Sequence, residues 1–508
     1  MTRRLHLYLT DLCHDLIEIT ESDGPIFVTG LSVDSRRVKV GDIFFALTGT
    51  HRDGRNFIED AINAGAIAII TGKQPVAQSL ANIALDNSTP ILQCENPRQI
   101  MAKIAARHWP FQPDMVAAVT GTNGKTSTSE FLRQLWQRAT WQAVAIGTLG
   151  ITGREIIKTE GTIFSLPPLT TPDSISLHRT IDPLTKAGVT HLAIEASSHG
   201  LEQFRLDGMN IHIAAFTNLS RDHIDHHIDM ENYGAAKMRL FTDLLSEGGS
   251  AVVNLDDPYG AKIIKILEGQ SVVVKTFGYA KNADFHITSI NPSGNGLNMQ
   301  ITYQKQKWDI PLALSGTFQA INALTAAVMG YLGGLPLHDS LGALPYLKAA
   351  PGRMQTIHGH PRGARVIVDY AHTPDALAAA LSALRPEATG KLFVLFGCGG
   401  DRDRGKRKLM GQVACSIADR VIVTDDNPRT EDPAAIRNAI LDACQNAIEI
   451  FPRDKAIATA LAQLNLGDVL LIAGKGHETV QLIGNETLPF DDASLASNQV
   501  RAMSEAEQ

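Results

Sequence analysis

The segment VAAVTGTNGKTSTSE (Val116–Glu130) runs an apolar stretch into Gly121, Gly124, Lys125 and Thr126, then into a helical pattern. Glycines let backbone amides approach a polyphosphate, and the N-terminus of a helix adds a favourable dipole. Lys125 would neutralise β- and γ-phosphates, and the Thr126 hydroxyl would ligate Mg²⁺. The spacing departs from the generic phosphate loop at one place, where Val119 stands for the outer glycine. The plainer alternative is a strand-turn-helix with glycines there by chance. A nucleotide loop does not name a reaction, because ATPases, kinases and ligases all use one.

Further along, Glu195 in HLAIEASSHGLEQFR and His223 in AAFTNLSRDHIDHH each follow an apolar run. A carboxylate suits Mg²⁺, which prefers oxygen ligands; at a strand end it can equally cap the next helix. His223, His226 and His227 could instead form a zinc cluster, although neither cysteine nor HExxH spacing accompanies them. Lys237, in YGAAKMRLF, lies on a helical stretch where a lysine ordinarily sits on a solvated face. Towards the C-terminus, ARVIVDYAHTP, KLFVLFGCGGDRDRGK, DRVIVTDDNPR and GDVLLIAGKGHE each carry an apolar run into a polar cluster. Ligands of open α/β sheets bind beyond the carboxyl ends of strands, so four such clusters mark a binding edge rather than packing alone.

The elements that must position these groups follow from the pattern. Gly41–Leu47 and Gly65–Thr71 read as strands around a helical stretch at Phe57–Ala64, and WPFQPD (Trp109–Asp114) breaks this module from the next. Met115–Thr120, His191–Ile194, Ile211–Thr217 and Ala251–Asn254 read as further short strands, with a helix over Thr126–Arg138. Alternation of this kind predicts α/β architecture with a mostly parallel sheet. The 508 residues suit about three domains, at roughly 100–200 residues each. The expected bounds are 1–110, 111–348 and 349–508.

Composition narrows the class. The net charge of -7 gives no basic field for nucleic acid. No apolar stretch reaches the ~18 residues of a membrane span, and the N-terminal segment lacks a signal-peptide core. The five cysteines form no CxxC pair, which favours reduced thiols. The expectation is a cytoplasmic protein without membrane or nucleic-acid partners.

GTNGKT (121–126), EASSHGL (195–201), TNLSRDHIDHH (217–227), YGAAK (233–237), GRM (352–354), DYAHTPDAL (369–377) and GKGHE (474–478) occur in this order. Together they resemble the Mur ligase family of peptidoglycan synthesis along nearly the whole chain. The resemblance implies an N-terminal domain for a UDP-sugar substrate, a central P-loop ATPase-like parallel-sheet domain, and a C-terminal Rossmann-like domain. It also implies ATP held by Gly121, Thr122, Asn123, Gly124, Lys125, Thr126 and Ser127. Asn322, in GTFQAINALTAA, would meet the base, with Gln319 replacing a more usual Asn. Arg353 would reach the nucleotide, Asp369 its ribose, and His372 would lie beside it.

Within the family, VDSRRVKVGDIFFAL (33–47) and TGTHRDGRNFI (48–58) are similar to the uridine-binding stretch of ligases adding the third stem-peptide residue. The implied substrate is UDP-MurNAc-L-Ala-D-Glu, met by Val33, Ser35, Thr50, His51 and Arg52. Its muramoyl and D-glutamyl portions would fall to Leu169, Thr170, Thr171, Ser197, Gln203 and Arg205. Leu169 departs from the Asn often found there. Asp426, Asn427, Pro428 and Arg429 match the DNPR signature of meso-diaminopimelate-adding members. Arginine can grip a second carboxylate, which lysine as substrate lacks. Arg402, Gly474 and Glu478 would complete that site, Glu478 pairing with the ammonium. Standing alone, DNPR reads as a proline turn with a surface arginine.

The implied chemistry is an acyl phosphate on the D-glutamyl γ-carboxylate, then attack by the amine. Thr126 and Glu195 would serve one Mg²⁺; His223 and Lys237, carbamoylated by CO₂, a second. Lys125, Glu195, His223 and Lys237 would be catalytic, in a monomer whose third domain closes on ATP. The lysine-adding ligase, a folate-polyglutamate or cyanophycin-type ligase, and a non-catalytic ATP-binding relative are the competing readings.

Overall fold

The computed structural model describes residues 7–19, 26–49, 52–75, 77–153, 166–220, 229–294 and 296–506. They form two compact units: residues 1–125, 140–253 and 257–274 belong to the first, and 126–139, 254–256 and 275–508 to the second.

The first unit opens with a four-stranded parallel sheet in chain order: Gly30–Ser32, Asp42–Ala46, Ala68–Gly72 and Ile91–Cys94. Asp42–Ala46 is buried throughout, as befits a parallel strand covered on both faces. Successive side chains divide between those faces. Ile43 and Phe45 join Met101, Ile104 and Ala105 of the helix Pro97–His108. Phe44 and Ala46 pack with Ile58, Ala61 and Ile62 of the helix Ile58–Asn63.

Next in this unit comes a second parallel array, with Met115–Thr120 between Ile211–Phe216 and His191–Glu195. Leu245–Asn254 and Ala143–Gly147 lie outside them, and Gly150–Gly153 pairs antiparallel with Ala143–Gly147. Because Met115–Thr120 is central and its neighbours run the same way, Gly121, Glu195 and Thr217 emerge at one edge. The helix Lys125–Arg138 starts directly after the glycine loop.

The second unit contains an antiparallel run, Phe285–Ser293, Gly296–Tyr303 and Gln306–Leu312, absent from the sequence-based expectation of mostly parallel strands. After the helix Thr317–Leu332 comes a six-stranded sheet, with Gln355–Ile357, Arg365–Asp369, Val469–Ala473, Leu392–Phe396, Arg420–Val423 and Ile448–Glu449 in spatial order. Only Gln355–Ile357 pairs antiparallel. The four C-terminal apolar runs are therefore adjacent parallel strands, and their polar clusters share one edge.

One expectation is corrected here. Cys415 and Cys444 form a disulfide, with Cα atoms 5.6 Å apart, rather than two reduced thiols. Their 29-residue separation hid a proximity created by packing of the helices Gly405–Ile417 and Pro433–Leu441. Cys13, Cys94 and Cys398 are free and buried. Among the described residues, no helix is long and apolar enough to cross a membrane.

Candidate functional site

The glycine loop is shaped by contacts that exclude larger residues. Gly121 has φ +150°, and a Cβ there would lie 1.9 Å from Thr217 Oγ1. Thr217 Oγ1 donates to Asn123 O at 2.6 Å, and Thr122 N donates to Asn218 O at 2.8 Å, so the Ile211–Phe216 strand end holds the loop. Lys125 Nζ donates to Gly121 O (2.8 Å) and Thr122 O (2.9 Å), keeping its ammonium against the loop. Lys237 is 2% exposed, not on a solvated face. Its Nζ donates to Gly121 O at 2.8 Å and lies 4.4 Å from the Tyr233 ring centre. Tyr233, which the sequence reading did not name, also donates to Thr122 Oγ1 at 3.2 Å.

Glu195 is 1% exposed. Its carboxylate accepts from Thr148 N (2.8 Å) and the Thr148 hydroxyl (3.3 Å). The hydroxyl contacts Thr170 Oγ1 at 3.1 Å, and Thr171 Oγ1 donates to Glu195 O at 2.7 Å. Ser197 N and Oγ both meet Thr171 Oγ1, while Arg205 donates to Thr171 O and to Gln203 Oε1. Thr170 is thereby joined through Thr148 to the Glu195 carboxylate, while Thr171, Ser197, Gln203 and Arg205 are tied to the Glu195 main-chain carbonyl. Thr148 was missed because GTLG (147–150) reads only as a turn. Leu169 is exposed beside this network.

In the N-terminal sheet, Val33 and Arg52 are exposed and Ser35 opens a short turn of helix. A cleft of about 620 Å³ lies at these strand ends, lined by Thr48, Arg55, Lys73, Glu95 and Arg98 among others. Arg98 donates to Thr48 O at 3.0 Å. Thr50, His51 and His223, with His226 and His227, lie outside the described residues.

In the second unit, Thr126 and Ser127 are buried in the first turn of their helix. Asn322 is 6% exposed and donates to Gln319 Oε1 at 3.1 Å; Gln319 in turn donates to Arg353 O at 3.0 Å. The Gln319 that replaces an expected Asn thus links Asn322 to the Arg353 loop. Arg353 lies 4.5 Å from the Tyr370 ring centre. Asp369 accepts from Met354 N (2.7 Å) and Ala371 N (2.9 Å). Burial pushes its carboxyl pKa up, against the pull of Arg353 and these two N–H groups. His372 Nδ1 donates to Tyr370 O, 2.9 Å away, and burial lowers its pKa.

Asp426, Asn427 and Pro428 are buried at the end of Arg420–Val423. Arg429 holds a left-handed backbone, φ +52°, fixed by N–H donation to Leu482 O at 3.0 Å. Its guanidinium donates to Gly400 O at 2.8 Å, beside the loop carrying exposed Arg402. Glu478 meets Asn427 Nδ2 at 2.8 Å, and Gly474 approaches Asp426 so closely that a Cβ would lie 2.6 Å from its Oδ2. The strand ends read from sequence as a binding edge therefore lie on one edge of this sheet, which carries both a guanidinium and a carboxylate.

Comparison with known proteins identifies the family. Family models described as "Mur ligase family, catalytic domain", "Mur ligase middle domain" and "Mur ligase, glutamate ligase domain" match residues 27–109, 119–330 and 352–476. A protein of Bradyrhizobium diazoefficiens named UDP-N-acetylmuramoyl-L-alanyl-D-glutamate--2,6-diaminopimelate ligase is 44% identical, covering 96% of this chain and 99% of its own. One of the same name from Mesorhizobium japonicum is 46% identical, over 92% and 93%. A solved structure of a ligase of that name superposes with a TM-score of 0.73 at 35% identity, covering 99% of each chain. Likeness of this extent, with three family models along the chain, makes it a member of the Mur ligase family, with its three-domain α/β architecture.

Proposed function

We propose that this chain joins meso-2,6-diaminopimelate to the D-glutamyl γ-carboxylate of UDP-MurNAc-L-Ala-D-Glu, using ATP, in peptidoglycan precursor synthesis. The observation that carries the reading is the C-terminal sheet edge, where Arg429 and Glu478 flank buried Asp426 and Asn427. A guanidinium and a carboxylate together suit an amino acid with an extra carboxylate and an ammonium. L-Lysine would leave Arg429 without an anion. Relatives named for the diaminopimelate reaction support the same choice.

The first step forms a bond from a γ-carboxylate oxygen to the γ-phosphorus of ATP and breaks the bond to the β-phosphate oxygen, releasing ADP. Gly121–Lys125 and Ser127 would cradle the phosphates, with Lys125 screening charge as it moves onto ADP. In the second step the amine nitrogen bonds the acyl carbon, the carbon–oxygen bond to phosphate breaks, and a proton leaves the nitrogen. Thr170, Thr171, Ser197, Gln203 and Arg205 would hold the acyl donor; Arg402, Arg429, Gly474 and Glu478 the amine. Asn322, Arg353 and Asp369 would serve adenosine, and Val33, Ser35, Thr50, His51 and Arg52 the uridine end.

Buried Glu195 and Thr126 offer the hard oxygen donors Mg²⁺ prefers, and the ion would neutralise phosphate charge there. With His223, Lys237 would hold a second ion once carbamoylated. A carbamate would keep one N–H on Nζ, the number that the bond to Gly121 O uses. We place domain bounds at 1–110, 111–348 and 349–508, and the enzyme in the cytoplasm as a monomer. Incubation with UDP-MurNAc-dipeptide, ATP and each candidate amine tests the reading. Phosphate release that needs diaminopimelate is expected; equal release with L-lysine would favour the lysine-adding reaction.

A further inference from the structure

Lys475, in GKGHE, is fully buried, and none of the roles assigned above uses it. A buried ammonium is costly unless its three protons find acceptors. Here Nζ donates to Val480 O at 2.6 Å, Asn427 Oδ1 at 3.1 Å and Glu478 Oε2 at 3.3 Å. One of these acceptors belongs to Glu478, proposed to receive the amine, and another to Asn427, which Glu478 and Arg429 flank.

Those bonds fix both side chains. Asn427 Oδ1 also accepts from Leu482 N at 3.0 Å, so its oxygen is fully taken and the amide can present only Nδ2 on its other side. Nδ2 donates to Glu478 Oε2 at 2.8 Å. Glu478 Oε2 therefore receives two N–H donors, while Oε1 accepts no hydrogen bond among the described residues. The Glu478 side chain is 32% exposed, and Oε1 is the oxygen its hydrogen bonds leave for a ligand.

We infer that Lys475 is a positioning residue for the amine substrate, orienting the Asn427 amide and the Glu478 carboxylate so that one charged oxygen meets the incoming ammonium. This rests on the proposed ligase reaction and adds to it the group that aligns its amine site.

The test uses the full-length enzyme with Lys475→Met, Glu478→Gln and the double variant. Steady-state kinetics report each substrate, and labelled ADP–ATP exchange without amine reports acyl-phosphate formation alone. In Lys475→Met the KM for diaminopimelate should rise roughly ten-fold or more, the scale of one lost charge-assisted hydrogen bond. Exchange, and the KM values for ATP and the UDP-dipeptide, should stay within about two-fold. The double variant should be no worse than Glu478→Gln alone, because the lysine acts through that carboxylate. Equal losses in exchange and amine addition, an unchanged amine KM, or additive effects would overturn the inference. If Lys475→Met melts below the assay temperature, Lys475→Gln, which retains an N–H donor without charge, carries the same comparison. Wild-type enzyme showing no diaminopimelate-dependent turnover would instead refute the reaction itself.

Discussion

Thr148 holds both carboxylate oxygens of Glu195, its N–H bonding Oε1 at 2.8 Å and its hydroxyl Oε2 at 3.3 Å. The hydroxyl also meets Thr170, so one side chain couples the proposed metal carboxylate to the acyl-donor loop. Thr148→Val keeps the shape and loses only the hydroxyl. The concentration of Mg²⁺ giving half-maximal rate should rise about ten-fold, at the lower end for partners of metal-binding groups. Gly147→Ala should do more, since its Cβ would fall 2.0 Å from Glu195 Oε1. An unaltered Mg²⁺ dependence in both variants would dismiss this coupling.

How much of this could be read beforehand depended on range. Met115–Thr120 and Lys125–Arg138 were legible because an apolar run and glycines are local signals. The C-terminal strands were equally plain, and their shared edge follows from parallel pairing. The hairpin of Gly296–Tyr303 and Gln306–Leu312 was not, because its turn Gln304-Lys305, with φ +47° and +67°, lacks the glycines that usually announce one. Roles for Thr148, Tyr233 and Lys475 arise only when distant strand ends converge. Lys237 showed the opposite trap: a helical lysine with no sequence sign of burial is 2% exposed.

That burial gives the carbamate proposal its sharpest consequence. Lys237→Ala removes both the nitrogen that would carry CO₂ and the contact to Gly121 O. Activity should fall to near background, and added bicarbonate should not restore it. Full turnover in the alanine variant would end the carbamate proposal.

Arg429 sits in a left-handed turn with its guanidinium against Gly400 O. Arg429→Lys retains charge but cannot fork onto a carboxylate. Its kcat/KM for diaminopimelate should drop roughly 10- to 100-fold, for about 1.4–2.7 kcal/mol of lost bidentate contact. Turnover with L-lysine, measured beside it, should change little. A parallel loss with both amines would remove Arg429 from the selection of the second carboxylate.

Glu387 is nearly inaccessible, its side chain 1% exposed, and binds Arg365 Nη1 at 2.6 Å and Gly316 N at 2.7 Å. Arg365 also donates to Ser315 Oγ at 2.6 Å. Burial raises the Glu387 pKa and Arg365 opposes it. Glu387→Ala strands a largely buried guanidinium and should cost about 3–5 kcal/mol in denaturant unfolding. Because Gly316 leads into the helix bearing Asn322, the KM for ATP should rise as well. A small stability change, under about 1 kcal/mol, would mean that water replaces the carboxylate readily.

His178 is fully buried on the helix Ser174–Lys186, and neither ring nitrogen has a hydrogen-bond partner among the described residues. Burial lowers its pKa from 6.5 to about 4. Between those values the unfolded chain binds a proton that the folded chain refuses, so stability falls as pH drops. The full contribution is present above pH 6.5, and about 3 kcal/mol is lost by pH 4. His178→Leu removes this proton while keeping an apolar filling. Its melting temperature should therefore fall less than wild type between neutral pH and about pH 4.5. Identical slopes for the two proteins would show that His178 accepts its proton without unfolding the chain.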